Sequence, residues 1–120
     1  MLTNYNFMKT LLAFMIAIVT SAMAFSQTSS NQDVEMSRKI RRILRVESRF
    51  AELPVSIGVL EYEIYPLISL KKQELAPNYP EHSSLSGDPL LSVMEEWINQ
   101  YPSEYETYVL FLEKTYRSYR

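Results

Sequence analysis

The chain has 120 residues, no cysteine, a single histidine, and 14 acidic against 12 basic residues, for a net charge of −2. The lack of cysteine excludes disulfides and thiolate metal sites, and one histidine argues against a zinc site, so no cofactor is expected. With two glycines in the chain, neither a P-loop nor a dinucleotide-binding fingerprint can form.

The first 24 residues have the layout of a secretory signal peptide. Lys9 precedes an apolar run that ends in the A-x-A sequence of Ala22 to Ala24. Cleavage is expected after Ala24 or after Ser26. The apolar run from Leu11 to Phe25 is shorter than the roughly 20 residues of a membrane-spanning helix, which favours a signal peptide over an anchor. The sequence therefore predicts an exported protein, periplasmic or secreted, that touches a membrane only through an uncleaved leader.

A small, polar lead-in over residues 25–32 is followed by a single expected domain over 33–120, which opens with a helix over 33–52. Helical spacing places Met36, Ile40, Ile43, Leu44, Phe50 and Ala51 on one side of this helix. The opposite side, here called the arginine face, consists of Arg38, Arg41, Arg42, Arg45 and Arg49. Such a face either is solvated and partly neutralised by the chain's own glutamates, or binds an anionic partner.

Glu47 interrupts the apolar side of the same helix. A carboxylate at such a position must be paired, hydrogen-bonded or protonated, because unpaired burial of a charge is costly. We expect a buried pair with a tyrosine hydroxyl, lysine or arginine of another element. The alternative is that this side of the helix faces a partner.

Residues 55–72 allow two interpretations. Val55, Ile57 and Val59 alternate with small residues, and this period of two favours an extended segment or a β-hairpin. The same residues would form a helix that is apolar nearly all round, kinked or ended by Pro66. The extended or hairpin form is favoured.

Two C-terminal helices are expected over 89–100 and 103–118. Asp88 followed by Pro89 is a helix start signal, and Ser103 with Glu106 has the spacing of a capping box. The predicted fold is thus mainly α, a small single domain of about three helices with an uncertain segment at 55–72.

Candidates for catalysis are weak. His82 adjoins Ser83 and Ser84, but neighbouring residues in a loop rarely form a nucleophile–base pair. Glu61 and Glu63 would share one strand face, where solvated glutamates are far commoner than a glycosidase pair. We therefore expect no catalytic residue and no metal ligand.

The sequence best fits a small exported, non-enzymatic protein that binds an anionic surface or an acidic protein through the arginine face. Nucleic acid is not favoured as a partner in that compartment. An alternative is a module that binds glycans or small ligands through its tyrosines and Trp97, although such an aromatic stripe is usually core. A weaker alternative is a small hydrolase. The sequence does not determine an oligomeric state.

Overall fold

The computed structural model describes residues 31–120, and backbone contacts divide the chain into the units Met1–Glu35 and Met36–Arg120. The predicted signal peptide and residues 25–30 of the lead-in lie outside the described residues. Residues 31 and 32, expected at the end of the lead-in, are helical. Over residues 31–120 the fold is mainly α, with four helices and no strand.

The first helix, α1, covers residues 31–49 and continues as a 3-10 turn, Phe50–Glu52. The second, α2, consists of Ile57–Val59, a π-helical segment Leu60–Ile64 and an α-helical part Tyr65–Leu75. The third, α3, is Gly87–Gln100, and the fourth, α4, is Pro102–Tyr119. None of the helices in the described part of the chain is long and apolar enough to span a membrane.

The core of the Met36–Arg120 unit is one cluster of apolar side chains. Helices α1, α3 and α4 contribute residues three or four positions apart, the spacing that places side chains on one helix face, and α2 contributes Ile64. The buried residues are Ile40, Ile43, Val46, Phe50, Leu53, Ile64, Ala76, Met94, Trp97, Ile98, Tyr105, Tyr108, Val109 and Leu112. Both the Tyr65–Leu75 part of α2 and α3 contact α4, which makes α4 the central element.

The expectation of an extended or hairpin segment at 55–72 is wrong. From Ile57 onward this segment is helical, and Ser56 caps it by accepting a hydrogen bond from the Val59 N–H. A strand would need a partner for its backbone groups, whereas a helix pairs them internally. Although α2 is rich in apolar residues, only Ile64 is fully buried. The alternation of apolar residues in the sequence therefore does not correspond to a buried strand face.

Pro66 is accommodated inside α2 by a wider turn. Proline lacks an N–H, and its ring collides with the carbonyl four residues earlier, here that of Tyr62. Immediately before it, the Tyr65 N–H bonds to the Leu60 carbonyl, five residues back, which is a π-type bond. This wider turn loosens the helix where the ring must fit, so Pro66 does not end it.

The two C-terminal helices, α3 and α4, start at earlier residues than the sequence predicted. The N-cap position of α3 is Ser86 rather than Asp88, and its side chain makes no cap hydrogen bond. The helix starts at Gly87, whose φ of 63° suits glycine. The capping box at Ser103 is also wrong, because α4 starts one residue earlier with Pro102 and has no side-chain cap. Proline at the first helical position lacks only an N–H that would be unpaired there anyway.

Helices α1 and α4 lie side by side and run in the same direction. The Tyr105 hydroxyl, in the first turn of α4, donates to the Lys39 carbonyl in the middle of α1 at 2.9 Å. Further along, the ring of Phe50, in the 3-10 turn that continues α1, meets the ring of Tyr116 edge to face, with centroids 5.7 Å apart. This parallel pairing leaves a groove between the outer faces of the two helices.

Candidate anion-binding groove

The groove between α1 and α4 has a volume of about 510 Å³ and is lined mostly by arginines. Among the described residues, seven arginines and one glutamate line it, which is a formal excess of six positive charges. Its lining residues, here called the arginine groove, are Arg38, Arg41, Arg42, Arg45, Val46, Arg49, Glu113, Tyr116, Arg117 and Arg120. All five members of the arginine face lie in this one groove.

The packing of α1 explains why the arginines face outward together. Ile40 and Ile43 are buried against the rest of the domain, which fixes the rotation of the helix about its axis. The arginines of the face are three or four residues apart, so they fall together on the exposed side of the helix. Val46, with 6% of its surface exposed, lies among the arginines on the floor of the groove.

The second wall of the groove was not predicted from the sequence. Tyr116 and Arg117 lie in the last turn of α4 and Arg120 directly follows this helix, about seventy residues away along the chain. Arginines near a helix C-terminus have an ordinary explanation, since they interact favourably with the negative end of the helix dipole. No pattern within α4 shows that this end packs beside α1, so the juxtaposition required the structure.

One arginine of the face is neutralised within the chain. Arg42 donates from Nε and Nη2 to the two carboxylate oxygens of Glu113, at 2.8 and 2.9 Å. Its Nη1 also lies 3.9 Å from a carboxylate oxygen of Glu106. The hydrogen bonds from Arg42 lower the pKa of Glu113, and the same bonds raise the pKa of the guanidinium.

Three other arginines of the face lack such partners. Within residues 31–120, the guanidinium groups of Arg41, Arg45 and Arg49 form no hydrogen bond and no ion pair, and all three residues are exposed. The chain's own acids therefore neutralise only part of the arginine groove.

Glu47 lies on another side of α1, in a separate polar cluster. Its Oε1 is 3.2 Å from Nε2 of His82, and the hydroxyl oxygen of Tyr79 is 3.1 Å from the same nitrogen. Desolvation raises the pKa of Glu47, while hydrogen bonding to Tyr79 and the proximity of His82 act in the opposite direction. Glu47, which we expected to pair with another element, thus contacts the loop between α2 and α3.

Tyr79 anchors this loop in the core. Its ring lies 4.7 Å from that of Trp97 and 5.2 Å from that of Tyr108, centroid to centroid. Burial raises the pKa of Tyr79, and the nearby Glu47 carboxylate adds to the effect. From the sequence, His82 was only a poor catalytic candidate. Its contact with Glu47 was not predicted, because 35 residues separate the two along the chain.

A second cavity of about 400 Å³ adjoins this cluster, lined by Glu47, Lys72, Tyr79, His82, Ser83 and neighbouring residues. The hydroxyl of Ser83 makes no hydrogen bond to His82 among the described residues, so the nucleophile–base arrangement weighed from the sequence is not assembled there. Residues 31–120 contain no cluster of three or more residues suited to hold a metal ion.

The other sequence candidates are apart from both clusters. Glu61 and Glu63 were expected on one strand face, but they lie in the π-helical segment of α2. Glu63 accepts a hydrogen bond from the Tyr119 hydroxyl at 2.7 Å. Trp97 is 3% exposed, so its ring is part of the core and presents no open face to a glycan.

Comparison of the chain with protein-family models, with curated proteins and with solved structures finds no match.

Proposed function

We propose that this protein is an exported, non-enzymatic binding protein that holds an anionic macromolecular partner in the arginine groove. The observation that carries the proposal is the lining of that groove, seven arginines against a single glutamate. Arg42 forms a close ion pair there with Glu113, whereas the guanidinium groups of Arg41, Arg45 and Arg49 have no hydrogen bond or ion pair within residues 31–120. The positive charge of these three arginines requires counter-ions or a partner.

The charge distribution of the chain supports this proposal. The whole chain has 12 basic and 14 acidic residues, so removing the groove's seven arginines and one glutamate leaves five basic and 13 acidic residues. A positive groove on an otherwise acidic molecule raises the local concentration of anions and orients their approach. A solvated face of mixed sign would not have this effect.

The choice of arginine also supports binding. A guanidinium presents a planar fork of N–H donors that matches the oxygens of carboxylates and phosphates, and it is more weakly hydrated than an ammonium. Lysine would also keep a surface charged and solvated, yet none of the lysines within residues 31–120 lines the groove. The lining therefore favours recognition of anionic groups over general solubility.

The test is a charge reversal with a matched control. The variant Arg45→Glu/Arg49→Glu removes two groove cations, and Lys71→Glu/Lys114→Glu makes the same change of net charge outside the groove. Binding to polyglutamate, heparin and anionic vesicles is measured at low and at physiological salt. We expect the wild type and the lysine variant to bind at low salt and the arginine variant to lose binding. A wild type that binds none of these polyanions at low salt contradicts the proposal.

A further inference from the structure

We propose that the half of the arginine groove beyond Arg42 is a clamp for a phosphoryl group, held from α1 by Arg45 and Arg49 and from α4 by Arg117. This inference rests on the proposed function and names the chemistry that the groove recognises. The group is a compact anion with about two negative charges, carried by a lipid headgroup or by a soluble phosphate.

The single carboxylate in the groove divides it into two parts. The parallel helices place Arg42 opposite Glu113, and both residues are oriented by their two-point hydrogen bonding. Toward the C-terminal ends, α1 continues with Arg45 and Arg49, and α4 continues with Arg117 and is followed by Arg120. Within residues 31–120 no further acid lines this part. The first part therefore holds the two walls together, and the second part is available to a ligand.

The positive charge of the second part exceeds what the fold itself compensates. Each helix C-terminus carries a partial charge of roughly −0.5, so the two parallel ends together compensate about one positive charge. Arg45, Arg49 and Arg117 bring three. Glu113 attracts Arg117 electrostatically as well, but its carboxylate oxygens are already bonded to Arg42. About one to two positive charges of these arginines are therefore left for a ligand to neutralise.

The number of donors favours a phosphoryl group over a carboxylate. Three guanidinium groups offer about fifteen N–H donors, and a carboxylate has two oxygens with about four acceptor positions. A phosphoryl group has three strongly accepting oxygens and a charge of about −1.5 to −2 near neutral pH. It can therefore accept from arginines of both walls at once, which a single carboxylate does less well.

The floor between the walls suits a group that carries phosphate on an uncharged body. Val46 and Tyr116 line the groove between the arginines. The edge-to-face contact of Tyr116 with Phe50 connects this floor to the core. An apolar floor also lowers the local dielectric, which strengthens the attraction between guanidinium and phosphate.

The experiment measures the affinity of the purified protein for pyrophosphate, for vesicles that contain phosphatidic acid and for polyglutamate of matched charge, at one low salt concentration. We expect at least one phosphoryl probe to bind about tenfold more tightly than polyglutamate. Binding only to the vesicles assigns the group to a lipid headgroup, and binding to pyrophosphate assigns it to a soluble phosphate; both support the clamp.

Two variants test the role of α4. Arg117→Gln should remove the preference for phosphoryl probes, and Arg117→Lys, which keeps the charge and loses the planar fork, should retain only part of it. Helical content measured by circular dichroism shows whether each variant is folded. Equal affinity for polyglutamate and phosphoryl probes, or a folded Arg117→Gln protein with an unchanged preference, overturns the clamp. In either case the proposed function survives if binding still depends on Arg45 and Arg49, whereas failure of every polyanion to bind removes both.

Discussion

Arg42 and Glu113 form a two-point hydrogen-bonded ion pair that connects the two walls of the arginine groove, across 71 residues of sequence. The pair is partly solvent-exposed, with 37% of the Arg42 side chain and 26% of the Glu113 side chain accessible. It therefore stabilises the fold. It also keeps the Glu113 carboxylate bonded to Arg42, so that this carboxylate does not neutralise the other arginines of the groove. These two roles can be separated by experiment.

Replacing Glu113 by glutamine should lower stability and raise anion affinity together. The lost ion pair should reduce the free energy of unfolding by about 1 kcal/mol, since partly exposed pairs are worth little more than that. Glu113 is the one carboxylate among the described residues that line the groove, so removing it should strengthen polyanion binding because Arg42 then becomes available. Urea denaturation and a binding titration at one salt concentration measure the two effects. The control Glu106→Gln should have a smaller effect on both, since Glu106 lies 3.9 Å from Arg42.

The pH dependence of Glu113 follows from its lowered pKa. A carboxyl whose pKa is lower in the folded state contributes stability above its unfolded pKa of about 4.3, and this contribution is lost as the pH falls through the folded pKa. The difference in unfolding free energy between wild type and Glu113→Gln should therefore be largest near neutral pH and shrink in acid. A difference that stays constant down to acid pH would show that the ion pair is not responsible.

Glu47 should behave in the opposite way, because its pKa is raised. A folded state that holds the proton more tightly than the unfolded state is stabilised at low pH, and this stabilisation is lost as the pH rises from about 4.3 through the folded pKa. Measured against Glu47→Gln, the wild type should lose relative stability over that range. His82, Lys72 and Tyr79 face the same carboxylate and oppose the effect of desolvation. Relative stability that instead grows with pH would mean that these partners dominate.

Tyr79 offers a test of the link between the α2–α3 loop and the core. The Tyr79→Phe variant keeps the ring contacts with Trp97 and Tyr108 and removes only the hydroxyl that lies beside His82. We expect the free energy of unfolding to fall by about 1–2 kcal/mol, because the buried partners of the hydroxyl are left less well satisfied. Amide hydrogen exchange over residues 77–86 should become faster. Unchanged exchange and stability would show that the ring alone anchors the loop.

Helical periodicity predicted the parts of the fold that depend on one face of one element. The buried positions of α1 and α4 repeat every three to four residues, so Ile40, Ile43, Tyr108 and Leu112 could be identified from spacing alone. The arginine face follows from the same rule. For α2, by contrast, apolar residues occur on most sides while only Ile64 is fully buried, so the period did not identify its structure.

The candidate site could be predicted only in part, since part of each cluster comes from a distant segment. Arg117 joins the arginine groove because α4 packs parallel to α1, and His82 reaches Glu47 because Tyr79 is buried among core rings. Both are consequences of tertiary packing that residue spacing within one element does not contain. Charge at Glu47 did indicate that a partner was required, although the sequence offered no way to choose His82.

The π-helical segment of α2 provides a matched pair of substitutions that tests its packing. Ile64 is completely buried and Tyr62 is 83% exposed, although only two residues separate them. Ile64→Ala should reduce the free energy of unfolding by about 2–5 kcal/mol, because it removes buried methyl groups and leaves a cavity. Tyr62→Ala should change it by less than about 0.5 kcal/mol, since the ring makes little buried contact. Chemical denaturation of both variants distinguishes this helix from the extended segment, because in a strand residues 62 and 64 would share one face and have similar effects.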